Sequence, residues 1–238
     1  MELILKSLSK SFNQGQPNEV EAVRDVLLTF SGGTNTLIVG HNGSGKSTLL
    51  FLIDGRVAPT SGTILFNGSP TDHLPPHRRA PWLFRLFQDS VHGIVPQGTI
   101  AENMALAETR HHQRSSWRPL VQTANLDLYA ETLAVYRPEL RDQLAKKAYT
   151  LSPGERQGLV LALLRLQARG APGVLLADEP TASLDPTMSR KCMETIADYS
   201  NAGWICLSVT HDRDWIDRHK GRLIEMANGR IIKDDNRG

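Results

Sequence analysis

Apolar residues along this chain come in two rhythms. Three short apolar runs, Thr36 to Val39 (TLIV), Gly173 to Ala177 (GVLLA) and Trp204 to Val209 (WICLSV), have the length and continuity of strands buried on both faces. Ser47 to Ile53 (STLLFLI) follows the first run across a glycine-rich turn and predicts a helix packed on a sheet. Pro186 to Tyr199, with Pro186 suited to a first helical position, predicts another helix between the second and third runs. Helical crossovers between buried strands imply parallel pairing and an α/β protein. The first thirty residues and Gly62 to Asn67 (GTILFN) alternate instead, with Gly and Asn turns, and predict an antiparallel sheet. From about Gln97 to Leu151 the pattern is mostly helical, with Gly98, Pro119 and Pro138 as punctuation. That stretch lies between two sheet-forming halves, as an inserted lobe would. The polar tail after Lys233 (DDNRG) is expected to fray and to leave no room for a C-terminal regulatory domain.

Composition narrows the partners. A chain of 238 residues can bury a core without disulfide or metal staples. Its 27 basic and 25 acidic side chains give 27 − 25 = +2, spread along the chain, too weak a charge for a dedicated nucleic-acid binder. Cys192 and Cys206 lack C-x-x-C spacing, which argues against a disulfide scaffold or zinc site and fits a reducing compartment. The start, MELILKSLSKSF, is too short an apolar run for a secretory signal, and no run reaches the ~18 apolar residues of a membrane span.

The chemistry is concentrated in two places. Gly40, His41, Asn42, Gly43, Ser44, Gly45, Lys46, Ser47 and Thr48 spell G-x-x-x-x-G-K-[ST] between a strand and a helix, a phosphate-binding loop. Its glycines let successive N–H groups point at phosphate oxygens, and the helix N-terminus adds favourable potential for an anion. Lys46 can reach the β- and γ-phosphates, and the Ser47 hydroxyl can ligate Mg²⁺. At the end of the second apolar run, Asp178 would orient a water of that metal, and Glu179 would orient or activate the attacking water. The bland alternative is a pair of acids capping a strand.

With these residues in place, the whole chain resembles the ATP-binding cassette (ABC) family, and is similar to bacterial importer cassettes of an amino-acid-type subgroup. Gln88, in Phe87-Gln88-Asp89, resembles that family's Q-loop, and Leu151-Ser152-Pro153-Gly154-Glu155 its signature sequence. Ser183-Leu184-Asp185 resembles its D-loop, His211 its switch histidine, and Phe12 sits where an aromatic stacks on adenine. The resemblance implies a P-loop NTPase (RecA-like) core with an antiparallel β subdomain (1–88 and 152–238 together) and an inserted helical subdomain (89–151). It implies ATP and Mg²⁺ as cofactors, with Ser47, Gln88 and Asp178 around the metal, and Glu179, His211 and Gln88 as catalytic residues. Two cassettes, identical or paralogous, would pack head to tail, so that Ser152, Gly154 and Glu155 of one face ATP on the other, while Asp185 communicates across the interface. The usual signature is LSGGQ; Pro153 removes one N–H from an anion-facing helix end, and Glu155 adds negative charge, so weaker closure is expected.

The resemblance further implies a separate membrane permease, a substrate-binding protein, and a peripheral position on the cytoplasmic face of the membrane. Val91 to Val95 would line the groove that receives the permease, within a pattern running from Phe87 to Ala107. An exporter cassette is a rival, as is a soluble ATPase serving a non-membrane partner such as a cofactor-assembly scaffold, or a module that binds ATP without hydrolysing it. The His111-His112 and His73…His77 pairs lack metal partners nearby, and His77-Arg78-Arg79 reads as a surface turn before a strand ending at Gln88.

Overall fold

The computed structural model describes residues 1–87, 89–109, 120–167, 172–182 and 184–237. In chain order the elements are β1 (Glu2–Phe12), β2 (Val20–Ser31), β3 (Asn35–Val39), α1 (Lys46–Asp54), β4 (Ser61–Phe66), β5 (Ser69–Pro70), α2 (Pro76–Arg79), β6 (Leu83–Leu86), α3 (Ile100–Glu108), α4 (Leu126–Ala134), α5 (Pro153–Gln167), β7 (Val174–Asp178), α6 (Pro186–Asn201), β8 (Ile205–Val209), α7 (Arg213–Arg218), β9 (Arg222–Ala227) and β10 (Arg230–Asn236), with short 3₁₀ turns between. They divide into two compact units, Met1–Arg85 with Pro172–Pro180 and Ile196–Gly238, and Leu86–Ala171 with Thr181–Thr195.

The first unit holds both sheets. One is four-stranded, in the order β2-β1-β4-β5, and antiparallel throughout, where the alternating segments were expected. The larger sheet runs β10-β9-β3-β8-β7-β6. In it β3 pairs parallel with both β8 and β9, and β7 pairs parallel with β8. Each of the three apolar runs thus becomes a central strand, and Leu37, Ile38, Val174, Leu176, Ile205 and Leu207 are fully buried. At about 1.5–3 kcal/mol for each large apolar side chain, this burial is what holds the strands in register. Leu3, Leu5 and Phe30 of the antiparallel sheet join Leu49, Leu50 and Ile53 of α1 in the same core. Because β3, β7 and β8 are parallel, their carboxyl ends share one edge of the sheet, where open α/β sheets bind ligands.

Arg79 overturns the reading of His77-Arg78-Arg79 as a surface turn. It is 1% exposed, and its guanidinium donates to the carbonyls of Leu52 (3.0 Å), Ile53 (2.6 Å) and Leu74 (2.9 Å). It thereby satisfies the Ile53 carbonyl at the end of α1 and gives that of Leu52, which also accepts from Gly55 N–H, a second donor. The strand that follows, β6, ends at Leu86. The tail also departs from expectation, because β10 continues to Asn236. Pairing with β9 and a two-pronged Arg222–Asp234 ion pair, at 2.7 and 2.6 Å, hold it in place.

The second unit is built on α5. Every residue from Gln157 to Leu164 is buried, so the middle of this helix, Gly158 to Leu164, is enclosed on all sides and forms the centre of a helical core with α3 and α4. The expected subdomain boundary between 151 and 152 therefore falls inside this unit, since α5 packs with the helices that precede it. The Gln97 to Leu151 stretch is less helical than its pattern suggested, with α3, α4 and 3₁₀ turns at Thr123–Asn125, Pro138–Leu140 and Ala148–Thr150 among the described residues.

Candidate functional site

The loop after β3 curls because two of its glycines are conformationally obligatory. Gly40 and Gly45 have φ of 147° and 103°, and a Cβ on either would run into a carbonyl, that of Met226 or that of Ala22. Gly45 is the N-cap of α1, so the helix opens at Lys46 with its first N–H groups unpaired by its own turn. Lys46 is 6% exposed, and its Nζ donates to the carbonyls of Gly40 (2.8 Å) and His41 (2.9 Å), closing the loop on itself. Burial pushes its pKa down, while Glu179 and then Asp178 hold it up. Ser44 Oγ is buried without a hydrogen-bond partner, a polar group whose desolvation a phosphate oxygen could relieve. Ordered glycines, a buried cation and an unsatisfied hydroxyl together suit a polyphosphate.

Across the same sheet edge, Asp178 ends β7 and Glu179 follows it in the left-handed region at φ 47°. That conformation costs a non-glycine residue roughly 1–2 kcal/mol. It is held by Glu179 N–H donating to the Val209 carbonyl at 2.9 Å, and Glu179 Oε1 lies 3.4 Å from His211 Nε2. The strain turns the carboxylate out of the strand direction and towards the histidine after β8. The expectation of a mere strand cap does not account for this geometry. Ser47 and Asp178 offer the hard oxygen donors that Mg²⁺ takes beside phosphates. Among the described residues no cluster of three His, Cys, Asp or Glu could hold a metal ion. Phe12 ends β1, is 37% exposed, and has Lys10 Nζ 5.1 Å from its ring centroid. Gln88, Ser183, His111 and His112 lie outside the described residues.

The signature and D-loop residues belong to the second unit. Proline at the first position of α5 fits there without strain. Ser152 and Glu155 form a reciprocal cap: Ser152 N–H donates to Glu155 Oε2 at 2.7 Å, and Glu155 N–H to Ser152 Oγ at 3.2 Å. Lys146 Nζ is 3.3 Å from Glu155 Oε1. Burial opposes ionisation of Glu155, but the Ser152 hydrogen bonds and then Lys146 outweigh it and hold the carboxyl below its ordinary range. The charge expected to weaken closure is therefore partly balanced within the unit. Asp185 caps α6, accepting from Met188 N–H (3.0 Å) and Thr187 N–H (2.9 Å), which lowers its pKa, most through Met188.

Sequence reasoning did not find Arg137. Its stem lies in the notch left by Gly158, where a Cβ would strike Arg137 Cγ; its Nε donates to the Gly154 carbonyl at 3.0 Å, and its Nη2 is 4.0 Å from Asp185. One side chain thus ties the start of α5 to the start of α6. The glycine at 158 was its only signal in the sequence.

In the second unit a groove of about 370 Å³ is lined by the apolar side chains of Ile94, Val95, Leu106 and Leu163 together with the polar ones of His92, Asn103, Thr109 and Gln167. The Phe87 to Ala107 pattern has a local structural account. Thr99 and Glu102 make a capping box for α3, and Asn103 holds the preceding turn, accepting from Val95 N–H (2.7 Å) and donating to the carbonyls of Val95 (3.0 Å) and Thr99 (2.9 Å). Cys192 and Cys206 are fully buried, and burial pushes both thiols up to about 12.

A family model described as ABC transporter matches residues 23–182. A tyrosine transport ATP-binding protein of Clostridioides difficile is 33% identical over 236 residues, covering 98% of this chain and 91% of its own length. A hemin import ATP-binding protein of Myxococcus xanthus is 33% identical, covering 87% and 75%. Export systems match too: a pyoverdine export ATP-binding/permease protein of Pseudomonas fluorescens is 30% identical over 97% of the chain and 33% of its own length. Among solved structures, a dimeric ATP-binding cassette, MJ0796, bound to ADP and phosphate in a post-hydrolysis state, superposes with a TM-score of 0.80 at 24% identity, covering 99% of each chain.

Proposed function

Given that the chain belongs to the ABC transporter family and is an ATP-hydrolysing cassette of it, we propose that it powers a membrane importer by closing on MgATP with a second cassette and reopening on hydrolysis. The observation that carries this reading is the shared edge of β3, β7 and β8, where the phosphate loop, the strained Glu179 and His211 converge.

ATP lies with its phosphates on the loop from Gly40 to Thr48 and its adenine on Phe12. Lys46 exchanges the Gly40 and His41 carbonyls for β- and γ-phosphate oxygens, a stronger charge-assisted pairing. Ser47 and Asp178 would hold Mg²⁺, as the resemblance implies for Gln88 too, and the ion would neutralise charge on those oxygens. Glu179 orients the attacking water and takes its proton, and His211 fixes the carboxylate while contacting the γ-phosphate. The second cassette supplies Ser152 Oγ and the Gly154 N–H at the N-terminus of its α5, an end with favourable potential for an anion. Closure thus depends on the γ-phosphate, whose loss removes the differential contact.

The altered signature tunes this step. Pro153→Gly combined with Glu155→Gln restores an N–H donor and keeps a side-chain acceptor for the cap. One such hydrogen bond to a charged group contributes about 1.5 kcal/mol. Steady-state ATPase turnover is expected to rise several-fold in the double variant; unchanged or lower turnover would remove the signature from the rate-limiting closure.

Among the described residues no helix is long and apolar enough to cross a membrane. In this reading the transport path belongs to a separate permease, as the resemblance to importer cassettes implies. The groove at Ile94, Val95, Leu106 and Leu163, whose lining also carries the polar side chains of His92, Asn103, Thr109 and Gln167, suits a short amphipathic helix of that permease, and such docking would put the cassette on the cytoplasmic membrane face. The importer direction rests on the Phe87 to Ala107 pattern and on import systems among the relatives, and it brings with it a substrate-binding protein. Purification from detergent-solubilised membranes should recover the chain with a multi-span permease. Recovery only from the soluble fraction, with a non-membrane scaffold, would overturn the transport reading while leaving the ATPase intact.

A further inference from the structure

The carboxylate of Asp178 is already engaged. Arg85 Nη2 donates to Asp178 Oδ2 at 3.1 Å, and its Nη1 pairs with Asp54 Oδ2 at the end of α1. The three side chains are 7%, 18% and 6% exposed for Arg85, Asp178 and Asp54, so solvent screens these charges little. Asp54 is shared in turn with Arg56, whose Nε lies 2.9 Å away, and both guanidinium groups sit 4.9 Å from the Phe51 ring centroid. The result is a row of alternating charge, Arg56–Asp54–Arg85–Asp178, running from the last turn of the phosphate-loop helix to the acid at the sheet edge.

Nothing in ATP hydrolysis asks for a guanidinium at that acid. A fixed cation beside a metal-facing carboxylate lowers the negative potential available to a divalent ion and repels that ion directly. We propose that Arg85 is a positioning residue that fixes Asp178 and competes with the metal for it, with Asp54 setting how firmly the guanidinium is committed to either acid. The inference rests on Asp178 being the metal-facing acid. It concerns how tightly the ion is held, which the family resemblance leaves open. Partners one step out from a metal ligand commonly change metal affinity by about 10–100-fold. Here the partner is a cation, so its removal should tighten binding.

The test is an electron paramagnetic resonance titration of Mn²⁺ into the full chain saturated with a non-hydrolysable ATP analogue. Arg85→Met should bind Mn²⁺ about tenfold more tightly than the natural chain. Arg85→Lys, which keeps the charge, should stay within about threefold. Asp54→Asn should bind several-fold more weakly, because the guanidinium then turns wholly to Asp178. If Arg85→Met alone folds poorly, the paired variant Asp54→Asn/Arg85→Met removes both members of the buried pair together, and should bind about tenfold more tightly than Asp54→Asn. A purely structural role would lower thermal stability without opposite shifts in Mn²⁺ affinity. Shifts of one sign, or none, overturn the proposal. Asp178→Asn separates the two levels: if it leaves Mn²⁺ affinity unchanged, the reading of Asp178 itself fails.

Discussion

Replacing Glu179 by Gln should abolish multiple turnover while leaving ATP binding intact. The amide keeps the shape of the side chain and leaves the loop from Gly40 to Thr48 untouched, but it cannot take a proton from water. General-base catalysis contributes about 10²–10⁴-fold, so a fall of that order in the hydrolysis step is expected. Because the γ-phosphate then persists, ATP should trap a stable dimer. Single-turnover hydrolysis and light scattering after gel filtration, each with ATP and Mg²⁺, measure both halves. Hydrolysis at the natural rate would remove Glu179 from the water-activating role and leave its φ of 47° without the functional account given above.

Lys46→Ala acts one step earlier, on binding. The ammonium is the buried cation of the loop, and without it the triphosphate meets only neutral N–H and hydroxyl donors there. The Gly40 and His41 carbonyls also lose their donor, so the loop is less ordered before nucleotide arrives. Loss of one charge-assisted pairing at a buried site, worth about 1.5–3 kcal/mol, corresponds to at least about tenfold in affinity. Equilibrium binding of a fluorescent ATP analogue reads this directly. Undiminished affinity would mean that the phosphates are held elsewhere.

The first unit was legible because its signals are local. The β3–loop–α1 succession, the run that ends in Asp178 and Glu179, and the strand before His211 each carry their pattern within about ten residues, and parallel pairing follows from the intervening helices. What escaped depends on partners distant in sequence. Arg79 reads as one more surface cation until it meets carbonyls 26 and 27 residues earlier, and Arg85 meets Asp178 across 93 residues. Glu155 looks like an uncompensated charge in a linear signature, whereas folding gives it Ser152 and Lys146. For α5 the difficulty is another one: its middle, Gly158 to Leu164, is an unbroken apolar run, with no stripe to reveal which neighbours it packs with.

The burial of Cys192 and Cys206 has a practical consequence. Thiol-directed dyes react with the thiolate, and two inaccessible groups with pKa values of about 12 supply almost none at neutral pH. New cysteines can therefore be introduced on the surface and labelled without first stripping out the native ones. A spectroscopic ruler built that way would follow opening and closing in a chain whose interior is still its own.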